Sequence, residues 1–140
     1  MTYKEETDED GNTYYGYVNS YDIWEGVGIL VLQTGDVFMS ELVENQFEGC
    51  GRMTTEGNFK YWGQHKLWLK DGFGTSEKPS GEVYKGQWKD DRKEGYGICT
   101  YTDGTRYQGF WKDDKRDGKG FLKNPDGTET KGIWKNDEMI

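Results

Sequence analysis

A basic excess is the first thing this chain lacks. Its 18 Lys and Arg are outnumbered by 26 Asp and Glu, for a net charge of −8. DNA, RNA and anionic membranes all need a basic face, so the balance argues against them as main partners. Cysteine is scarce as well, with only Cys50 and Cys99, and the two fit neither a disulfide framework nor a metal site. We read both as reduced thiols in a cytoplasmic protein. No stretch is apolar enough for a secretion signal or a membrane span. No window shows helical spacing of apolar residues, so little or no helix is expected.

Aliphatic residues are sparse too, and what replaces them is glycine and aromatic rings. Glycine stands at 21 of 140, beside six Trp, ten Tyr and six Phe. That is about twice the usual glycine share of roughly 7%. Such a chain favours thin layers of rings over exposed backbone rather than a deep aliphatic interior. The charge is uneven: residues 1–70 hold five basic and twelve acidic side chains, residues 71–140 thirteen and fourteen. Residues 1–10 are acidic and aperiodic, which reads as a solvated tail.

Residues 81–127 contain one 23-residue unit twice, with no gap. Tyr84 superimposes on Tyr107, Gly86 on Gly109, Trp88 on Trp111, Gly95 and Gly97 on Gly118 and Gly120, and Asp103-Gly104 on Asp126-Gly127. Such tandem identity is the mark of a repeat protein. Tracing it outward gives leading glycines at 11, 35, 57, 81, 104 and 127, in steps of 24, 22, 24, 23 and 23. The first unit carries an extra residue in its middle. The third has one inserted before Tyr61, and the sixth stops at Ile140 without its second half. Each unit reads as a β-hairpin, because Tyr84, Gly86 and Trp88 alternate with Val83, Lys85 and Gln87. A polar turn, D-D-R-K-E, follows; the second strand is G-Y-G-I-C-T-Y, and Asp103-Gly104 makes the tight turn into the next unit. Gly86, without a side chain, lets rings from neighbouring strands lie across it.

The pattern Y-x-G-x-W-x(6)-G-x-G-x(5)-D-G resembles the MORN repeat (membrane occupation and recognition nexus). The resemblance is closest at 81–127, good at 127–134 and degenerate at 11–80. It implies an all-β fold, tandem β-hairpin repeats forming one elongated twisted antiparallel sheet, as a single domain over 11–140. One departure is visible: the family has glycine three residues after the tryptophan, where this chain has Asp91 and Asp114. Aspartate tolerates left-handed backbone better than most residues, so the turn is expected to survive.

The resemblance further implies a non-enzymatic scaffold or adaptor, without cofactor or metal, that grips a protein segment, often helical, in an aromatic groove. Here that groove would hold Tyr84, Trp88, Tyr107, Trp111 and Trp134, with Tyr61 at the equivalent place in the third unit. A cytoskeletal or ciliary assembly is the setting by family analogy. The residues add a second candidate surface: where other units have Asp, Asp and Arg, the third has Leu67, Trp68 and Leu69. Apolar hairpin tips need a cover, either a loop of the same chain or a partner. The open ends of the sheet offer edges for self-association.

The alternative class is a peripheral membrane or phosphoinositide binder. It would rest on Arg92-Lys93 and Lys115-Arg116, each flanked by acids that cancel the attraction. Catalysis has little material. His65, the only histidine, sits where other units have tryptophan, with no nucleophile motif nearby. Gly95-x-Gly97 and Gly118-x-Gly120 lack the third glycine and the helix of a dinucleotide loop.

Overall fold

A computed structural model describes all 140 residues. The chain is all-β, with no helix, and divides into two compact units, Met1–Leu69 and Lys70–Ile140. In the first unit lie β1 (Thr2–Thr7), β2 (Thr13–Val18), β3 (Trp24–Val31), β4 (Val37–Val43), β5 (Gln46–Thr54) and β6 (Lys60–Lys66), each antiparallel to the next. The second holds β7 (Leu69–Glu77, its first residue apart), β8 (Val83–Lys89), β9 (Arg92–Thr100), β10 (Arg106–Lys112), β11 (Lys115–Lys123), β12 (Glu129–Lys135) and β13 (Glu138–Met139), again in chain order. The boundary between the two falls inside the third repeat. In a repeat array each hairpin packs on its neighbours rather than on one central core.

The acidic start of the chain is not a loose tail. Residues 2–7 pair with β2 from Thr2↔Val18 to Thr7↔Thr13, and Lys4 bridges Asp22 at 2.8 Å and Glu6 at 3.1 Å. The strand was hidden because one backbone edge to pair with suffices, and it needs no apolar alternation when both its faces are wet.

The two kinds of turn are also the reverse of the sequence reading. The tight turn lies at the hairpin tip, where Asp90 and Asp91 both have positive φ (48° and 68°), as do Asp113-Asp114 and Asn136-Asp137. Two consecutive left-handed residues make the turn whose twist matches the flanking strands. The Asp-Gly end is the longer loop, Tyr101–Thr105, closed by Tyr101 N–H to Thr105 O at 2.8 Å with Gly104 at φ +90°. At the matching place in the third unit the positive-φ residue is Asn58 (φ 64°), not Gly57. The unit is therefore regular, with no insertion before Tyr61. The extra residue of the first unit is real and sits in the hairpin turn Asn19–Asp22, closed by Asn19 N–H to Ile23 O at 2.9 Å.

Asp at the second tip residue does more than tolerate its backbone. Asp91 Oδ1 accepts the Lys70 N–H at 2.8 Å while Asp91 N–H donates to Lys70 O at 3.0 Å. The same clasp joins Asp114 to Lys93, Asp137 to Arg116 and Asn45 to Trp24. Glycine could supply only the N–H half.

Candidate protein-interaction surface

Strand alternation sends Tyr84 and Trp88 to one face, and there the rings fill the space themselves. Tyr84 meets Trp88 at 5.1 Å and Trp111 at 5.3 Å, and Tyr107 meets Trp111 and Trp134 at 5.2 Å each, all edge to face. Each tyrosine also bends over glycine: an added Cβ at Gly97 would lie 2.2 Å from the Tyr84 hydroxyl. That hydroxyl donates to Gln87 O at 2.8 Å, as the Tyr107 hydroxyl does to Phe110 O at 3.0 Å. The indole N–H groups of Trp88 and Trp111 donate to Gly74 O and Gly97 O. Cations close the top: Lys93 lies over Tyr84 and Trp111 at 5.2 and 5.0 Å, Lys70 over Trp88 at 4.7 Å, and Arg116 over Tyr107 at 5.7 Å.

Six of the nine expected contact residues are therefore internal. Tyr61, Tyr84, Trp88, Tyr107, Trp111 and Trp134 are all 5% exposed or less. A partner would have to displace the covering side chains to touch them, so the aromatic groove is a packed layer. Burial also raises the hydroxyl pKa of Tyr84 and the thiol pKa of Cys99, which keeps both groups neutral. His65 is buried edge-on against Tyr61 at 4.9 Å, in the place tryptophan takes elsewhere.

The apolar tip of the third unit splits in two. Trp68 turns inward onto Phe47 (4.4 Å) and Phe38 (6.0 Å), beside the buried cluster of Tyr14, Val18, Leu30 and Leu42. Its cover is the same chain. Leu67 remains 54% exposed, and Leu69 is half-buried. Leu67 and Trp68 both hold left-handed backbone, φ 51° and 70°, a conformation unfavourable for bulky side chains. Trp68 keeps only the N–H half of the clasp, donating to Phe47 O at 3.4 Å.

The open surface lies on the opposite face, which the sequence reading passed over. In the second unit Tyr96 (41% exposed), Phe110 (48%) and Ile133 (50%) stand outward. With Phe121 and the stems of Lys119 and Lys131 they line an apolar groove of about 550 Å³. Tyr96 and Phe110 meet edge to face at 5.8 Å, and Gln108 Nε2 donates to the Tyr96 hydroxyl at 2.5 Å, fixing one wall. The signal was available in the residues one place out of step with the tyrosines and tryptophans.

The MORN repeat family matches residues 84–106 and 107–129. No curated protein matches the sequence. Among solved structures, the chain is similar to the SAS-4 (dCPAP) TCP domain of Drosophila Melanogaster, in complex with a proline-rich motif of Ana2 (dSTIL). The TM-score is 0.53 at 16% identity, covering 94% of this chain and 78% of that one. It also matches the TCP10 domain of Danio rerio CPAP, in complex with a peptide of STIL, at TM-score 0.46 and 14% identity, covering 96% and 71%. At these identities the first likeness is one of fold, and the second is too low to carry any argument.

Proposed function

We propose, from the two MORN repeats matched over residues 84–129, that the chain is a MORN-repeat protein and a non-enzymatic scaffold that binds an extended segment of a partner protein. The observation that carries this reading is the outward groove between Tyr96 and Ile133. Exposed apolar surface held rigidly on a sheet is what a binding module needs, and soluble proteins otherwise cover it. Rings set edge to face suit the flat sides of a proline-containing strand, which is already extended before it binds. A solved protein of the same fold holds a proline-rich motif, which supports a segment of this kind over a helix. Leu67 is a second, smaller contact point. The cytoskeletal or ciliary setting is carried by family analogy alone.

The membrane reading gains nothing from its two basic pairs. Arg92 is tied to Asp113 at 3.3 Å and Arg116 to Asp137 at 3.4 Å, and Lys93 and Arg116 face the ring layer.

The test places a photo-crosslinking phenylalanine analogue at Phe110 and, as a control, at Tyr84, in native extract. We expect one protein to crosslink through Phe110, and to be lost when Ile133→Ser is added to a chain with unchanged circular dichroism. Crosslinking at Tyr84 alone would return the contact to the ring layer and overturn this assignment.

A further inference from the structure

The second unit balances its charges, with fourteen basic and fourteen acidic residues over 70–140, but it does not spread them evenly. Half of its carboxylates lie at turns, at Asp90-Asp91, Asp103, Asp113-Asp114, Asp126 and Asp137. Its strand bodies send cations outward. The outer face carries one cross-strand row from Lys85 through Ile98, Gln108 and Phe121 to Lys131. A second row runs Thr100, Arg106, Lys123, Glu129, and Lys119 stands beside Ile133. Lys85, Arg106, Lys119, Lys123 and Lys131 thus border the apolar groove and the two smaller depressions next to it, against one carboxylate, Glu129. None of the five is held in an ion pair, unlike Arg92, Lys93 and Arg116.

We propose that the segment bound in this groove is acidic: apolar or proline residues against Tyr96, Phe110 and Ile133, with carboxylates reaching Lys85, Lys119 and Lys131 on either side. This rests on the docking reading above and names the chemistry of its partner. Cations held in no ion pair and set around exposed apolar side chains attract a carboxylate, and choose the partner by charge as well as by shape. A short segment meets only this local field. The chain as a whole carries a net charge of −8, which disfavours an extended polyanion such as a bilayer or a duplex, so the observations favour a protein segment over either.

Fluorescence anisotropy of labelled peptides repeating Glu-Pro-Leu, Gln-Pro-Leu or Lys-Pro-Leu tests this on the full chain. In the three-residue polyproline repeat each ridge is of one kind, so the three differ only in one line of charge. We expect the Glu peptide to bind at least about tenfold more tightly than the Gln peptide at low salt, the gap closing as salt rises. A Lys85→Gln/Lys119→Gln/Lys131→Gln chain should lose that gap and keep the weaker Gln-peptide binding. Equal binding of the Glu and Gln peptides would overturn the acidic assignment and leave the docking reading intact. Binding unaffected by Phe110→Ser and by Ile133→Ser, in chains with wild-type melting curves, would overturn the docking reading itself. Failure of all three peptides to bind, or capture of the wild type but not the triple variant by phosphatidylserine vesicles, would overturn the proposal.

Discussion

In the first unit a residue at the head of each return strand, first in β3 and second in β5, closes the ring face with another ring: Trp24 stacks on Tyr14 at 4.3 Å, and Phe47 on Phe38 at 5.4 Å. In the second, the same position, further steps of 23 along, holds Lys70, Lys93 and Arg116, and each lies over a ring as a cation. The backbone is alike, but the two lids differ physically. An aromatic lid takes ring area out of water and extends a dry cluster. A cationic lid covers the ring with its stem and leaves its head near water and carboxylates. A repeat can therefore keep its geometry while changing what holds each layer shut.

The largest expected effect that would expose this difference is alkaline. Burial raises the pKa of Tyr84, Tyr101, Tyr107 and Cys99 in the second unit, and of Tyr14 in the first. For an acid whose folded pKa is raised, the unfolded chain ionises first. The associated stability is complete below the unfolded value of 10.0 for tyrosine and falls as the pH climbs above it. Fluorotryptophan NMR should show Trp88, Trp111 and Trp134 losing native shifts at lower pH than Trp24 and Trp68. The reverse order would break the comparison.

Gly97→Ala comes next. Its Cβ would meet the Tyr84 ring and hydroxyl at 2.2 to 2.5 Å, and the ring is held by two tryptophans, so a loss of roughly 3 kcal/mol is expected. Gly28→Ala in the first unit meets a Leu42 methyl at 2.5 Å and the Tyr14 ring only from 2.7 Å, a less tight ring clash, and should cost about 2 kcal/mol. Equal urea midpoints would mean that the two layers are equally stiff.

Exchanging the lids sharpens the contrast further. Trp24→Lys should cost about 2 kcal/mol, by loss of a stacked ring, whereas Lys93→Met should cost less than about 1 kcal/mol. A larger loss from Lys93→Met would make the cation the stronger closure. The smallest effect is a gain. Leu67→Asn, at an exposed position with φ 51°, should raise stability by about 0.5 kcal/mol, because asparagine accepts left-handed backbone more readily. A lower melting temperature would show that Leu67 is packed after all.

Strand alternation and the repeat were legible in the sequence because glycine, tyrosine and tryptophan recur at fixed offsets. The tip Asp pair was correctly seen as a turn, but its clasp to the preceding hairpin was not, since a hydrogen bond 21 residues away leaves no local pattern. Gly57 was taken for the turn residue because glycine is the usual holder of positive φ, yet Asn58 does that work one place later. The rings of the repeat were legible, but not the depth of their burial. Spacing places Tyr84 and Trp88 on one face, and it does not say that Lys93 will close over them. The outward cations and Phe110 could have been found by reading the other strand parity.

Tip, lid and left-handed strand glycine all advance by 23 residues from unit to unit: Asn45 to Asp137, Trp24 to Arg116, Gly26 to Gly118. Cutting out residues 93–115 would bring Arg92 directly before Arg116, and the shortened chain would still offer a partner for every clasp, ring and lid, one unit along. The number of hairpins is thus a separate variable from the stability of any one of them. Such a sequence can lengthen or shorten by whole units without inventing a new contact, and the span of the surface it presents can be adjusted by counting.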